Sequence, residues 1–271
     1  MDDPTLTAYL ARLGAARPAA PDAAALRALH HAHLLAVPFE NLSIHLGEPI
    51  SLDEDRLLDK LIGRRRGGFC YELNGAFALL LAALGFDVVH VAARVFGEGR
   101  LGPPFDHLAL VVRPADGSGP WLADVGFGRH SHFPLRFDAP GEQEDPGGRF
   151  ALVDAAEGDV DVLMGGEPQY RLERRRRALA DFVSTCWWHQ TSPESSFTRN
   201  TVCTRLTPDG RITLRGDTLV HTTDAGERTE RRLAAGELLA AYAEHFGIAL
   251  DRLPSPPPRP SPAGGEGEAS P

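Results

Sequence analysis

Apolar residues recur at helical spacing through the first 85 positions and at strand-like spacing beyond them. Leu6, Tyr9, Leu10 and Leu13 share one helical face, with Thr5 as its expected cap and Gly14 as its stop. Asp22 caps a second predicted helix carrying Leu26, Leu29, Leu34 and Val37, ended by Pro38. Ser51 and Glu54 have capping-box spacing ahead of Leu57, Leu58, Leu61 and Ile62. A fourth helix is predicted from Cys70 through Leu73, Phe77, Leu80, Leu81 and Leu84, ending at Gly85.

From Asp87 the period changes. Residues 88–96, 108–113, 121–125, 150–154 and 170–175 are short β-rich runs between Gly, Pro and Asp turns, which predicts a twisted sheet or small barrel. Residues 97–105 and 139–149 read as long exposed loops. Residues 178–188 are expected to be helical, and 202–206 with 211–214 to form a hairpin about Thr207-Pro208-Asp209-Gly210. Residues 237–246 close the pattern as an amphipathic helix. The Pro/Ser/Gly/Glu-rich residues 254–271 are expected to be disordered.

The 271 residues carry 28 Lys plus Arg against 37 Asp plus Glu, a net charge of −9, which lacks the basic footprint of a nucleic-acid binder. The longest apolar run, residues 76–86, is too short to span a membrane. The start Met1-Asp2-Asp3-Pro4 has no apolar leader core, so a cytoplasmic protein is expected. Three cysteines, an odd and sparse set, read as free thiols rather than a disulfide framework.

Candidate chemistry concentrates in Arg66-Gly67-Gly68-Phe69-Cys70-Tyr71-Glu72-Leu73-Asn74. Two glycines allow a tight turn, and Cys70 then falls at the first turn of a hydrophobic helix. There the unpaired N–H groups and the helix dipole favour an anion, which predicts a lowered thiol pKa and donors for an oxyanion. A buried core cysteine is the competing account. A nucleophilic cysteine needs a base and an orienting carboxylate. His107 opens one predicted strand and Asp124 closes its neighbour, so adjacent antiparallel strands would bring them side by side. Asp124 as a loop-capping residue beside Gly126 is the alternative.

These residues lie in blocks that resemble the arylamine N-acetyltransferase family. The blocks are Val37-Pro38-Phe39-Glu40-Asn41-Leu42, the Cys70 segment, His107-Leu108 and Asp124-Val125-Gly126-Phe127-Gly128. A weaker match covers Ser192-Pro193-Glu194-Ser195 and Thr207-Pro208-Asp209-Gly210. Papain-like proteases and transglutaminases share the Cys, His, Asp order without these flanks. The resemblance implies an α+β fold with a cysteine-proteinase-like catalytic core: a helical bundle (1–86) carrying the nucleophile, a β-barrel (87–190) carrying His and Asp, and an α/β lid (191–253). It also implies a ping-pong reaction through a Cys70-His107-Asp124 triad. Cys70 takes acetyl from acetyl-CoA, and an aromatic amine or hydrazine then takes it from Cys70. No metal or prosthetic group, nucleic acid or membrane enters this scheme, and xenobiotic metabolism is the role it suggests.

By position, Phe39, Val95 and Phe127 match the family's acceptor-pocket lining, and Val202 is placed with them. Core packing competes for Phe39 and Val95, whereas the glycines flanking Phe127 suit a loop. For the CoA donor the resemblance points to backbone amides at Gly126 and Gly128, to Arg129 and to Thr201. Pro103-Pro104 stand where some relatives have small or polar cofactor contacts. A macrolactam-forming amide synthase of the same fold and a cysteine hydrolase are the alternative functions. A catalytically dead binding protein is disfavoured by the intact Cys70, His107 and Asp124.

The remaining features have structural explanations. His30, His31 and His33 form a solvated or satisfied helix face, since no nearby ligand completes the metal-like spacing of His30 and His33. His130 and His132 belong to a surface loop at the edge of the pocket. Arg64-Arg65-Arg66 and Arg174 to Arg177 read as solvated charge runs. Cys186 and Cys203 are expected to be inert, and Trp187-Trp188 to pack under the lid.

Overall fold

The computed structural model describes residues 1–97 and 99–255, so the expected disorder of the tail lies outside the described residues from position 256 onward. Helix α1 (Asp3–Leu13) is capped by Asp2 rather than Thr5: the Asp2 carboxylate accepts the Thr5 amide at 2.9 Å. Helix α2 (Ala23–Ala36) is capped by Asp22 as expected, through the Ala25 amide at 2.7 Å. A short strand, β1 (Phe39–Glu40), then interrupts the predicted helical stretch, followed by α3 (Leu42–Leu46) and α4 (Glu54–Leu58). The Ser51/Glu54 capping box does not form. Asp53 is the N-cap, Ser51 turns onto Asp53, and Glu54 pairs with the Met1 amino group at 2.9 Å.

Helix α5 (Cys70–Ala83) spans the range its pattern predicts, and almost every side chain on it is buried. A helix apolar all round must sit inside the molecule, and α5 packs between α1, α4 and the first strands of the large sheet.

That sheet contains β2 (Asp87–Gly97), β3 (Arg100–Leu101), β4 (His107–Arg113), β5 (Trp121–Ala123), β6 (Leu135–Arg136), β7 (Glu142–Asp145), β8 (Gly148–Asp154), β9 (Val160–Met164) and β10 (Glu167–Arg177). Its antiparallel order is β6-β5-β4-β2-β10-β9-β8-β7, with β3 on the end of β2. The two edges nearly close into a barrel. Gln143 of β7 acts as a strand partner for β6, accepting the Arg136 amide at 2.7 Å and donating to the Arg136 carbonyl at 2.9 Å. The expected loops at 97–105 and 139–149 therefore contain β3, β7 and the start of β8. Charged and glycine residues hide these strands, because they bury too little apolar surface to show the period.

Alternation along β4 feeds two cores. Leu110 and Val112 pack with α1, α2 and α5, whereas Ala109 and Val111 pack inside the barrel with Phe150, Tyr170 and Leu172.

The expected helix at 178–188 begins as a 3-10 turn, Leu179–Phe182, and continues as α6 (Val183–Thr191), followed by α7 (Ser196–Arg199). The predicted hairpin forms as β11 (Val202–Thr207) and β12 (Gly210–Arg215). Two further strands, β13 (Thr218–Thr223) and β14 (Arg228–Arg232), extend it, and α8 (Leu238–Phe246) packs on it. The second sheet runs β1-β11-β12-β13-β14. Its β14 edge is exposed throughout and reads Arg-Thr-Glu-Arg-Arg, a charged edge that discourages further pairing. No described helix is long and apolar enough to cross a membrane.

Candidate active site

The turn before Cys70 is held by close backbone approach and by buried ions. A Cβ on Gly67 would lie 1.9 Å from the Pro38 carbonyl oxygen, and one on Gly68 would lie 2.5 Å from Glu72 Oε2. Both glycines are therefore required for space. Beneath the turn, Arg66 reaches Glu40 at 3.0 Å and Glu48 at 3.2 Å, and Lys60 meets Glu72 at 2.6 Å. The second Glu72 oxygen accepts the Phe69 amide at 3.2 Å, which fixes the start of α5. Arg66, read from sequence as part of a solvated run, is 5% exposed. Removing one partner of such a buried pair costs about 3–5 kcal/mol, because it strands the other charge.

Asn41 joins this segment to the later chain. Its Oδ1 accepts the Val202 amide at 2.8 Å, and its Nδ2 donates to the Phe197 and Asn200 carbonyls at 2.8 Å each.

His107 and Asp124 meet through strand register. Val111 lies opposite Leu122, and extending that pairing sets Asp124 across from Ala109, on the same face as His107. His107 Nε2 stands 2.7 Å from Asp124 Oδ2, with both side chains buried. Three groups that sequence reasoning missed complete the Asp124 shell. Tyr170 Oη donates to Oδ2 at 3.1 Å, Asn74 Nδ2 donates to Oδ1 at 2.8 Å, and the Asp124 amide donates to His30 Nε2 at 3.2 Å. Asn74 lies one helical turn after Cys70, so its place on the nucleophile's helix face was a usable signal. Tyr170 and His30 come from distant segments and offered none.

Burial alone would raise the Asp124 carboxyl. The charge and hydrogen bond of His107, with help from His130 and Asn74, hold it well below the usual carboxylate range instead. The Cys70 thiol departs from the sequence expectation of a lowered pKa. Burial pushes it up, the nearby Asp124 and Asp106 charges add to the rise, and a hydrogen bond from the Leu108 backbone opposes it. Cys186 and Cys203 are buried and also pushed up, Cys186 to about 12.

Cys70 and His107 open on a cavity of about 720 Å³ between the barrel mouth and the second sheet. Of the sequence candidates, Phe39, Val95, Phe127, Val202, Gly126, Gly128 and Arg129 line it, whereas Thr201 does not. Thr201 is buried away from the cavity. The Gly126 amide is also unavailable to a phosphate, because it donates to Asp124 Oδ1 at 3.0 Å. Gly126 has a packing reason to be glycine: a Cβ there would lie 2.8 Å from Cys70 Cα and 2.7 Å from Asn74 Nδ2.

His130 and His132 are buried and line the cavity, contrary to the surface loop expected. Burial pushes the His130 imidazole down to about 4. His30 is a satisfied core residue that also meets the His132 carbonyl at 3.1 Å, and the buried His33 meets Tyr9 Oη through Nε2 at 3.0 Å while its Nδ1 has no partner among the described residues. Trp187 is 65% exposed and so is not packed under a lid.

Arg211 is one of the cavity residues that the sequence reading did not anticipate. It is half-buried in the cavity wall; burial and the charge of Arg129 push its guanidinium down to about 10, while the nearby Asp224 opposes the shift. Arg129 and Arg211 give this wall two neighbouring cations, which attract an anion although Asp224 lies close by.

Comparison with known proteins identifies the family of the chain. A family model described as N-acetyltransferase matches residues 22–254. The arylamine N-acetyltransferase of Escherichia coli is 34% identical over 257 residues, covering 92% of this chain and 90% of that protein. The solved arylamine N-acetyltransferase of Salmonella typhimurium superimposes with a TM-score of 0.85 at 31% identity, covering 93% of this chain and 94% of that one. The Mycobacterium marinum arylamine N-acetyltransferase in complex with CoA gives 0.82 at 32% identity, covering 90% and 92%. The chain therefore belongs to the arylamine N-acetyltransferase family.

Proposed function

We propose that this protein transfers acetyl from acetyl-CoA to aromatic amines or hydrazines by a ping-pong route through acetyl-Cys70, with Cys70, His107 and Asp124 as its catalytic triad. The observation that carries this is the 2.7 Å contact between His107 Nε2 and Asp124 Oδ2 at the floor of the Cys70 cavity. A carboxylate can only accept, so Nε2 carries the proton and Nδ1 is left for the thiol. The thiol proton passes to Nδ1 as Cys70 Sγ bonds to the thioester carbon, and the Cys70 N–H at the head of α5 faces the developing oxyanion. When the carbon–sulfur bond to CoA breaks, the departing CoA thiolate takes the proton from His107. The amine nitrogen then bonds to the acetyl carbon, gives its proton to His107 and displaces the Cys70 thiolate. Asp124 orients the His107 ring and favours the imidazolium as it forms at each step.

The apolar walls at Phe39, Val95, Phe127 and Val202 suit an aromatic acceptor and keep water from the acetyl-cysteine. Arg129 and Arg211 would hold the phosphate end of the donor, a part that Gly126 and Thr201 are not placed to play. The same scheme divides the chain into a helical part (1–86), a barrel part (87–190) and a lid (191–253), with the cavity between them. Acetyl-CoA turnover measured with and without an aromatic amine tests the function. CoA release that depends on the amine supports it, and equal release without amine would indicate a hydrolase.

A further inference from the structure

The cavity wall carries a carboxylate that the transfer chemistry leaves unused. Asp106 immediately precedes His107, and its Oδ2 accepts the Val95 amide at 3.1 Å. Loop 102 closes over this oxygen so tightly that a Cβ on Gly102 would lie 2.1 Å from it. The other oxygen, Oδ1, stands 3.0 Å from His189 Nε2, but off the axis of a hydrogen bond, so that buried nitrogen has no hydrogen-bond partner.

The His189 imidazole is itself fixed. Its Nδ1 meets Ser195 Oγ at 3.1 Å, and Ser195 Oγ accepts the Phe197 amide at 3.2 Å. The serine proton is then free to go to Nδ1, which leaves the Nε2 proton facing Asp106. Rings of Phe69, Tyr71, Trp188 and Phe197 surround the imidazole with centroids 5.0–6.5 Å away. The Asp106 side chain is 11% exposed, so this anion has little water of its own.

Charge divides between the walls of the cavity. Its arginines come from the loop after Gly128 and from the second sheet, and its other carboxylate, Asp224, lies near Arg211. Cys70 shares the cavity with the apolar Phe39, Val95, Phe127, Phe197 and Val202, and Asp106 lines it together with His107 and His189. An anion set in an apolar wall attracts donors and positive charge and repels another anion, because nothing between them screens the field.

We propose that Asp106 is the charge-selecting group of the acceptor pocket, favouring aromatic amines that carry a hydrogen-bond donor or a positive charge and rejecting those that carry a carboxylate. This inference rests on the acetyl-transfer function proposed above.

The test compares kcat/KM for para-aminobenzamidine, para-aminobenzamide and para-aminobenzoate, which share a shape but are cationic, neutral and anionic. The intrinsic reactivity of each amine cancels when wild type is compared with Asp106→Asn. The variant should shift the amidine-to-benzoate ratio toward benzoate by about tenfold or more, the effect of losing a partly desolvated charge contact. An unchanged ratio would overturn the proposal. A measurement on the wild type alone guards against a variant that fails to fold: benzamidine should inhibit more strongly than benzoate, and equal or reversed inhibition would overturn the proposal. If the wild type acetylated none of the three amines, the function itself would fall. Acetylation with no charge preference would remove only the role of Asp106.

Discussion

Asp124 accepts hydrogen bonds on both carboxylate oxygens while His107 Nε2 stands 2.7 Å from one of them. The carboxylate is therefore fixed before any substrate arrives. In Asp124→Asn the side chain would present an amide donor to His107 and favour the wrong tautomer. Acetyl transfer should fall by about a thousandfold or more with the circular dichroism spectrum retained. Alkylation of Cys70 by iodoacetamide near neutral pH should slow in parallel, and an unchanged alkylation rate would remove Asp124 from the triad.

Gly126 is the point where the loop after β5 touches the helix that carries the nucleophile. Gly126→Ala would drive a methyl group into Cys70 Cα and Asn74 Nδ2, both at the rigid start of α5. A loss of about 1–3 kcal/mol in urea unfolding is expected from this overpacking, with a larger proportional loss of turnover. Unaltered stability together with wild-type turnover would show that the contact is not tight.

The buried histidines predict a pH dependence. Burial pushes His30 and His130 down to about 4 and His33 to about 3, from an ordinary value of 6.5. Below 6.5 the unfolded chain binds protons that the folded protein refuses, so stability should rise with pH from about 4 to 6.5. Each of the first two groups contributes on the order of 3 kcal/mol across that window. Asp124 has the opposite character. Its folded pKa is depressed, so its contribution is present above 3.8 and is lost only as the pH falls below that value. Urea midpoints should therefore decline on acidification within the histidine window, and a flat profile there would contradict the buried neutral assignments.

Arg211 separates donor binding from chemistry. Arg211→Gln should raise KM for acetyl-CoA by about tenfold, the size of one lost charge-assisted contact. The KM for a phosphate-free donor, S-acetyl-N-acetylcysteamine, should respond far less. Equal changes for both donors would place the phosphates elsewhere.

The sequence made α2, α5 and the β11–β12 hairpin legible because each repeats one period over a buried face. The Cys70, His107 and Asp124 candidates were visible because each begins or follows an element whose type could be read. Strands β3, β7 and β14 were hidden, since their residues are charged, exposed or only two long. Arg66 looked like one of three solvated arginines because the acids that bury it, Glu40 and Glu48, lie 26 and 18 residues away. Tyr170 and Arg211 were unreadable for the same reason. Each acquires its meaning from segments that only the closed barrel and the second sheet bring together.

The central claim is that Cys70 becomes acetylated, and intact-protein mass after mixing with acetyl-CoA and no amine tests it most directly. A gain of about 42 Da, located on the Cys70 peptide and discharged by an added aromatic amine, is the predicted result. An unchanged mass accompanied by steady release of CoA, or a gain on a residue other than Cys70, would contradict it.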